Sequence, residues 1–290
     1  GAPSRSSYAG AVYVFARSGS NWAQSTTLTP STPVLSSNFG NDIALAGSAA
    51  APVLVVGAPY EDVVVGSPPS TLDSSGAAYV FTLSGATWTA ARLGNPSPGS
   101  YDYFGTQVAL SADGAYLAVS SPNDAIEPTD PSQPITYGVG AAHVYSRSGS
   151  SWQLPTTLRA QSLFAYTSFG NALVLSADGN TLVAGAPYDD GNARGVEGVA
   201  DTQSQNPGAA HVFTRSSGTW SAGRYIKASN AESYQYFGNA VAVSNDGGTV
   251  TVGAEYEATA SDNVNGNQLS DCAAATSTNC AYAAGAVYVY

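Results

Sequence analysis

The sequence predicts an all-β fold of repeated four-stranded units, a β-propeller of four to five blades with a half-blade at each end. Three observations predict it. Phe-Gly pairs at Phe39-Gly40, Phe104-Gly105, Phe169-Gly170 and Phe237-Gly238 recur 65, 65 and 68 residues apart. Each leads to a Gly-Ala-Pro corner or a degenerate copy of one: Gly57-Ala58-Pro59, Ser121-Pro122, Gly185-Ala186-Pro187 and Gly253-Ala254-Glu255. A tyrosine-rich strand follows at 77–81, 141–145, 209–213 and 286–290, with a further copy at 11–15. A fixed period of this length marks an array of one supersecondary unit, and four-stranded units in tandem point to a propeller.

In chain order the register gives a half-unit over 1–37 and units over approximately 38–102, 103–167, 168–235 and 236–290, within one domain, 1–290. Strands one and two are short, β-branched and apolar throughout, as in Val108-Ala109-Leu110 and Leu117-Ala118-Val119, which suits strands covered on both faces. Between them Asp113-Gly114, Asp178-Gly179 and Asp246-Gly247 predict tight hairpins whose positive φ angles fall on Asp-Gly. Strand three alternates, so that in Ala77-Ala78-Tyr79-Val80-Phe81 neighbouring side chains take opposite faces. A Ser-Gly turn then leads to strand four, which carries Trp22, Trp88, Trp152 or Trp220. These tryptophans and the four Phe-Gly phenylalanines are expected inside the sheets. No stretch has helical periodicity with caps.

This pattern resembles the FG-GAP repeat of integrin-type β-propellers, and the strand Gly-Ala-x-Tyr-Val-Phe brings it nearest to the secreted FG-GAP proteins of microbes. The resemblance covers essentially the whole chain. It implies an extracellular or cell-surface binding or adhesive role. One departure matters: integrin-like repeats often carry a calcium loop, Asp-x-Asp-x-Asp-Gly, after Phe-Gly. Here that turn offers a single carboxylate (Asp113, Asp178 or Asp246), whereas calcium takes six to eight oxygens. The calcium sites are therefore not carried over, and no metal or other cofactor is expected.

Composition narrows the class. Charged residues are 10% of the chain, against about 25% in ordinary domains, and the net charge is −11. Lys227 is the only lysine. Such a chain lacks the basic stripes that nucleic acids and anionic membranes require, and no apolar run approaches a membrane span. With neither a leader nor a methionine, it reads as a mature or excised segment. Cys272 and Cys280, the two cysteines, lie in one loop. An even pair in an otherwise cysteine-free chain reads as a local disulfide formed in an oxidising compartment, two free thiols being the alternative.

No catalytic constellation is present, and the chain is not read as an enzyme. His143 and His211 occupy the slot of Tyr13, Tyr79 and Tyr288, which makes them packing residues with a polar tip. No serine sits in Gly-x-Ser-x-Gly. Acids recur just after the corner: Glu61-Asp62, Asp124, Asp189-Asp190, and Glu255 with Glu257. They read as a solvated rim or as acceptors for loop amides, or as a ring with one carboxylate per blade that holds a cation or basic partner; a glycosidase pair has no supporting substrate motif. Variable loops run over 60–75, 123–139, 188–207 and 256–284, all on one face, where binding residues usually sit. Tyr60, Tyr188 and Tyr256 open three of them, as local packing or as surfaces for sugar stacking.

The candidate ligand-binding set is therefore Tyr60, Glu61, Asp62, Asp124, Tyr188, Asp189, Asp190, Tyr256 and Glu257. Two functions compete. One is a structural subunit of a cell-surface or filamentous assembly, self-associating through terminal half-blades whose strand edges want partners. The other is an extracellular adhesion or glycan- or protein-binding propeller that uses the long loops.

Overall fold

The computed structural model describes residues 1–48, 51–128, 130, 132–161, 163–191, 193–197, 205–258 and 285–290. It is all-β. The first unit is a sheet of four strands in sequential antiparallel order, Ile43–Ser48, Ala51–Ala58, Ala77–Ser84 and Thr87–Leu93. The second repeats it with Val108–Leu110, Tyr116–Ser121 and Ala141–Ser148, and its fourth strand is split into Ser151–Trp152 and Thr156–Leu158. Pro155 lies at that break, where a residue without an N–H cannot continue the ladder. The third unit has Ala172–Leu175, Thr181–Ala186 and Ala209–Ser216, followed by the pieces Thr219–Trp220 and Arg224–Ile226. Three strands form the last sheet, Ala240–Val243, Val250–Ala254 and Ala286–Val289. A separate hairpin, Val12–Ser18 with Asn21–Leu28, precedes them all. Cys272 and Cys280 lie outside the described residues.

The sheets stack face on face, and the core lies between them. Each strand three sends its aromatics one way and its small residues the other. Tyr79 and Phe81 pack with Val12 and Leu28 of the hairpin before, while Ala78 and Val80 pack with Phe104, Val119 and Tyr145 of the sheet after. The same division recurs at the next two contacts, where Phe213 faces Val144, and Val212 faces Phe237 and Tyr288. Phe39, Phe104, Phe169 and Phe237 are all fully buried in equivalent places. Each sets its ring edge-on or tilted to the slot residue of strand three: Tyr79 at 5.4 Å, His143 at 5.4 Å, His211 at 5.3 Å and Tyr288 at 5.3 Å between centroids. The histidines do stand in a tyrosine slot.

Two expectations are corrected. The Asp-Gly turns are wider than two-residue hairpins: Ser111 pairs with Tyr116, and the Gly114 N–H donates to the Ser111 carbonyl. Only the glycines have positive φ there, 69° at Gly114, 70° at Gly179 and 73° at Gly247. Asp113 instead accepts from the Ser111 hydroxyl at 2.6 Å and the Ala115 N–H at 2.9 Å, which holds its carboxyl below the usual range. The tryptophans, second, are not core residues. Strand four is the outermost strand of each sheet, so Trp88, Trp152 and Trp220 are half-buried and Trp22 is 66% exposed.

The two aromatic sets should therefore behave oppositely. Phe169→Ala should cost about 3–5 kcal/mol as a large core truncation, and Trp22→Ala no more than about 0.5 kcal/mol as a surface change. Urea unfolding of both variants checks this; equal losses would refute the core assignment.

Candidate binding rim

One rim of the stack is built from the same local structure in every unit. After the corner the chain turns so that the N–H of the following acid donates to the corner carbonyl: Glu61 to Ala58, Asp124 to Ser121, Asp189 to Ala186 and Glu257 to Ala254. The carbonyl of that acid then accepts from the glycine that opens strand three, Gly76, Gly140, Gly208 or Gly285. The loop between is thus pinned at both ends. Its second acid, where present, caps the return: Asp62 accepts from the Ser74 N–H at 2.8 Å and Asp190 from the Asn206 N–H at 2.9 Å.

One acid of each unit does not reach a solvated rim. Glu61, Asp124, Asp189 and Glu257 are all buried; Arg92, Arg159 and Lys227, on or just beyond the outer strand of the same unit, engage the first three, and Asn95 and Asn230 of the preceding unit reach Asp124 and Glu257. Glu61 accepts from Arg92 Nε at 2.6 Å and from the Tyr79 hydroxyl at 2.7 Å. Asp124 accepts from Arg159 at 2.6 Å and Asn95 at 3.1 Å. Asp189 meets Lys227 Nζ at 2.9 Å and the Tyr225 hydroxyl at 2.7 Å. Asn230 donates to Glu257 at 2.7 Å. Glu61, Asp124 and Asp189 tie the corner of a sheet to its outer strand, and Asp124 and Glu257 tie it to the unit before. The single lysine is fully buried, and burial pushes its pKa down against the opposing pull of Asp189.

The imidazoles sit against the same acids. His143 bonds the Ser121 hydroxyl at 3.2 Å and the Thr157 hydroxyl at 3.1 Å, and its Nε2 is 3.8 Å from Asp124. Burial, with the charge of Arg159, pushes its pKa down to about 3. His211 has no hydrogen-bond partner at either ring nitrogen among the described residues, and burial pushes it down to about 4. A cleft of about 570 Å³ opens beside Asp124, Arg159 and Asp102. Burial, reinforced by the charge of Asp124, raises Asp102 to about 6 although the Gly99 N–H donates to it at 2.6 Å.

What the rim exposes is tyrosine. Tyr60, Tyr188 and Tyr256 are exposed, as their place beside the corner allows. Sequence reasoning missed their partners, which precede Phe-Gly in the next unit or the same one. Tyr103 packs on Tyr60 at 5.3 Å and on Tyr101 at 6.4 Å. Tyr236 packs on Tyr188 at 5.6 Å and on Tyr256 at 5.4 Å. The signal was present in Tyr101-Asp102-Tyr103-Phe104 and Tyr234-Gln235-Tyr236-Phe237. At the corresponding positions of the middle contact stand Asn123 and Ser168, so the aromatics form two clusters.

Two outcomes follow from the buried charges. Lys227→Met leaves Asp189 uncompensated and should cost about 3–5 kcal/mol, whereas adding Asp189→Leu should recover much of that loss; urea melts of the three proteins decide it. Acid should also weaken the fold. The two imidazoles are neutral in the folded chain but protonate near pH 6.5 when unfolded, so the stability they allow is full above that value and is lost as pH falls toward 4. Asp102, with its folded pKa raised, works the other way below pH 6. Two rings outweigh one carboxyl, so stability should drop by roughly 2–3 kcal/mol from about pH 7 to about pH 5, and His211→Gln should flatten the slope.

Comparison with known proteins fits this architecture. The sequence pattern described as the FG-GAP repeat matches residues 22–81 and 220–268. No curated protein matches the chain. Among solved structures, a putative 6-phosphogluconolactonase from Bacteroides uniformis is similar over 83% of this chain and 69% of its own, at 9% identity and a TM-score of 0.36, a likeness too distant to argue from. Among the described residues no helix is long and apolar enough to cross a membrane. The motif, its period and the contacts it makes agree: the chain carries FG-GAP repeats.

Proposed function

We propose that this chain is a non-enzymatic extracellular repeat protein whose sheets are the blades of an FG-GAP-type β-propeller array of four to five blades, and that it serves as a structural subunit joined through the outer faces of its first hairpin and last sheet. The match to FG-GAP repeats supports the extracellular reading. The observation that carries the rest is a mismatch in burial. Inside the stack, the forward-facing pair Ala78 and Val80 is 0% and 2% exposed, yet its counterpart in the last sheet, Val287 and Val289, is 73% and 68% exposed. The backward-facing pair Tyr79 and Phe81 is 6% and 3% exposed, yet its counterpart in the first hairpin, Tyr13 and Phe15, is 38% and 53% exposed. The two open faces are the two halves of a contact that the chain makes repeatedly within itself. A shallow depression of about 460 Å³ beside Val287 and Ala240 is shaped by the last of these sheets. Contiguous exposed apolar surface of this kind marks an interaction site, and a head-to-tail contact between unlike faces propagates.

Mixing variants tests this directly. Wild-type protein should associate with rising concentration in sedimentation and form filaments under the electron microscope. Val287→Asp and Phe15→Asp should each be monomeric with unchanged melting temperature, and a mixture of the two should stop at dimers, since only one intact face of each kind remains. A wild-type chain that stays monomeric, with both faces paired inside one ring, would overturn the proposal.

A further inference from the structure

The tyrosine rim has a backbone that its side chains do not favour. Tyr101, Tyr103, Tyr166, Tyr234 and Tyr236 have φ of 65°, 57°, 61°, 65° and 53°, the left-handed region that is uncommon for any residue but glycine and its near substitutes. The strain is repeated, not incidental. Tyr101 donates its N–H to the Asp73 carbonyl, Tyr166 to Tyr137, Tyr234 to Gln205 and, in the first unit, Ser36 to Ser7, so four units hold the same bent segment against the chain before. Glycine would adopt this conformation freely; the first unit has Ser36 and Asn38 there, yet the other three place a large aromatic at the first position, and Tyr101, Tyr166 and Tyr234 point out, 48%, 65% and 48% exposed. Strained positions of this kind cluster at ligand sites.

We propose that this rim binds a neutral polysaccharide, laid along the stack across the two tyrosine clusters. Tyrosine offers an apolar face and a hydroxyl at small entropic cost, which suits a sugar ring with one apolar face and hydroxyls at its edge. The capping acids supply acceptors at the same level: Asp62 and Asp190 each use one oxygen for a loop amide and stand at the rim beside Tyr60 and Tyr188. The charge decides the class of glycan. The chain carries −11, and Arg92, Arg159 and Lys227 are already spent on Glu61, Asp124 and Asp189. An anionic chain would meet repulsion, whereas a neutral one would not. The clusters lie at the first and third unit contacts, with Asn123 and Ser168 at the contact between them, so a ligand extended along the rim can engage both and gain from the linkage.

The test uses the full chain carrying Val287→Asp, so that failure to self-associate is not read as failure to bind. In affinity electrophoresis through gels of hydroxyethylcellulose, xyloglucan, laminarin or glycol chitin, at least one should retard it, and heparin and alginate should not. Tyr60→Ser should weaken retardation about tenfold, and Tyr60→Ser with Tyr188→Ser should abolish it. Tyr101→Gly with Tyr234→Gly separates binding from packing: relief of the left-handed strain should leave the melting temperature unchanged or higher while retardation falls. No retardation by any neutral polysaccharide, retardation by the anionic ones alone, binding only to a protein, or a marked fall in melting temperature in the glycine variant would each overturn the proposal.

Discussion

Everything in this molecule depends on how closely two peptide backbones can approach where one sheet meets the next. The corner glycine of one unit lies against the Phe-Gly glycine of the following unit, and a Cβ on Gly57 would sit 2.0 Å from the Gly105 carbonyl oxygen. The glycine that opens strand three meets the carbonyl of the adjoining phenylalanine, and a Cβ on Gly76 would lie 2.2 Å from it. Neither distance can be relieved by a side chain moving aside, because the obstacle is main chain. The repeat motif is thus a steric requirement: Phe fills the space between sheets, and the glycines let the sheets close around it. The middle contact shows how far the rule bends, since Ser120 stands at the corner position and a Cβ on Gly170 would meet its side chain at 2.9 Å.

That constraint explains what the sequence makes legible. Period, strand order and the buried phenylalanines could be read because backbone contact and core volume tolerate few residue types, so they are written identically in each unit. The histidine slot was legible for the same reason. The fate of the tryptophans was not, because an amphipathic residue on an outer strand looks the same in sequence whether it is covered or not. The acids were misread in a related way. Glu61 and Asp62 are adjacent and chemically alike, yet one turns in to Arg92 and the other out to a loop amide. Their partners also come from variable places: Arg92 lies within strand four, whereas Arg159 and Lys227 lie just beyond it. No fixed spacing announces the pair.

The buried pairs and the exposed tyrosines belong to one design of loop. A carboxylate turned inward anchors the loop to the outer strand, its carbonyl fixes the start of strand three, and the next acid caps the returning chain. What is left for solvent is aromatic, with the capping acids beside it. A rim so anchored can hold strained tyrosines in place, because the segments on both sides are fixed by hydrogen bonds that do not depend on the rings.

The hairpin turns add a different property. Gly47 donates its N–H to the Ala112 carbonyl, Ala112 to Ala177, and Ala177 to Asn245. Donors all point toward the later unit and acceptors toward the earlier one, as along the axis of an α-helix, but here each step crosses from one sheet to the next. Such bonds in series polarise one another. The stack therefore has an electrical sense as well as a chemical one, with its positive end toward the last sheet, and its two ends are distinguishable even to a probe that touches no side chain.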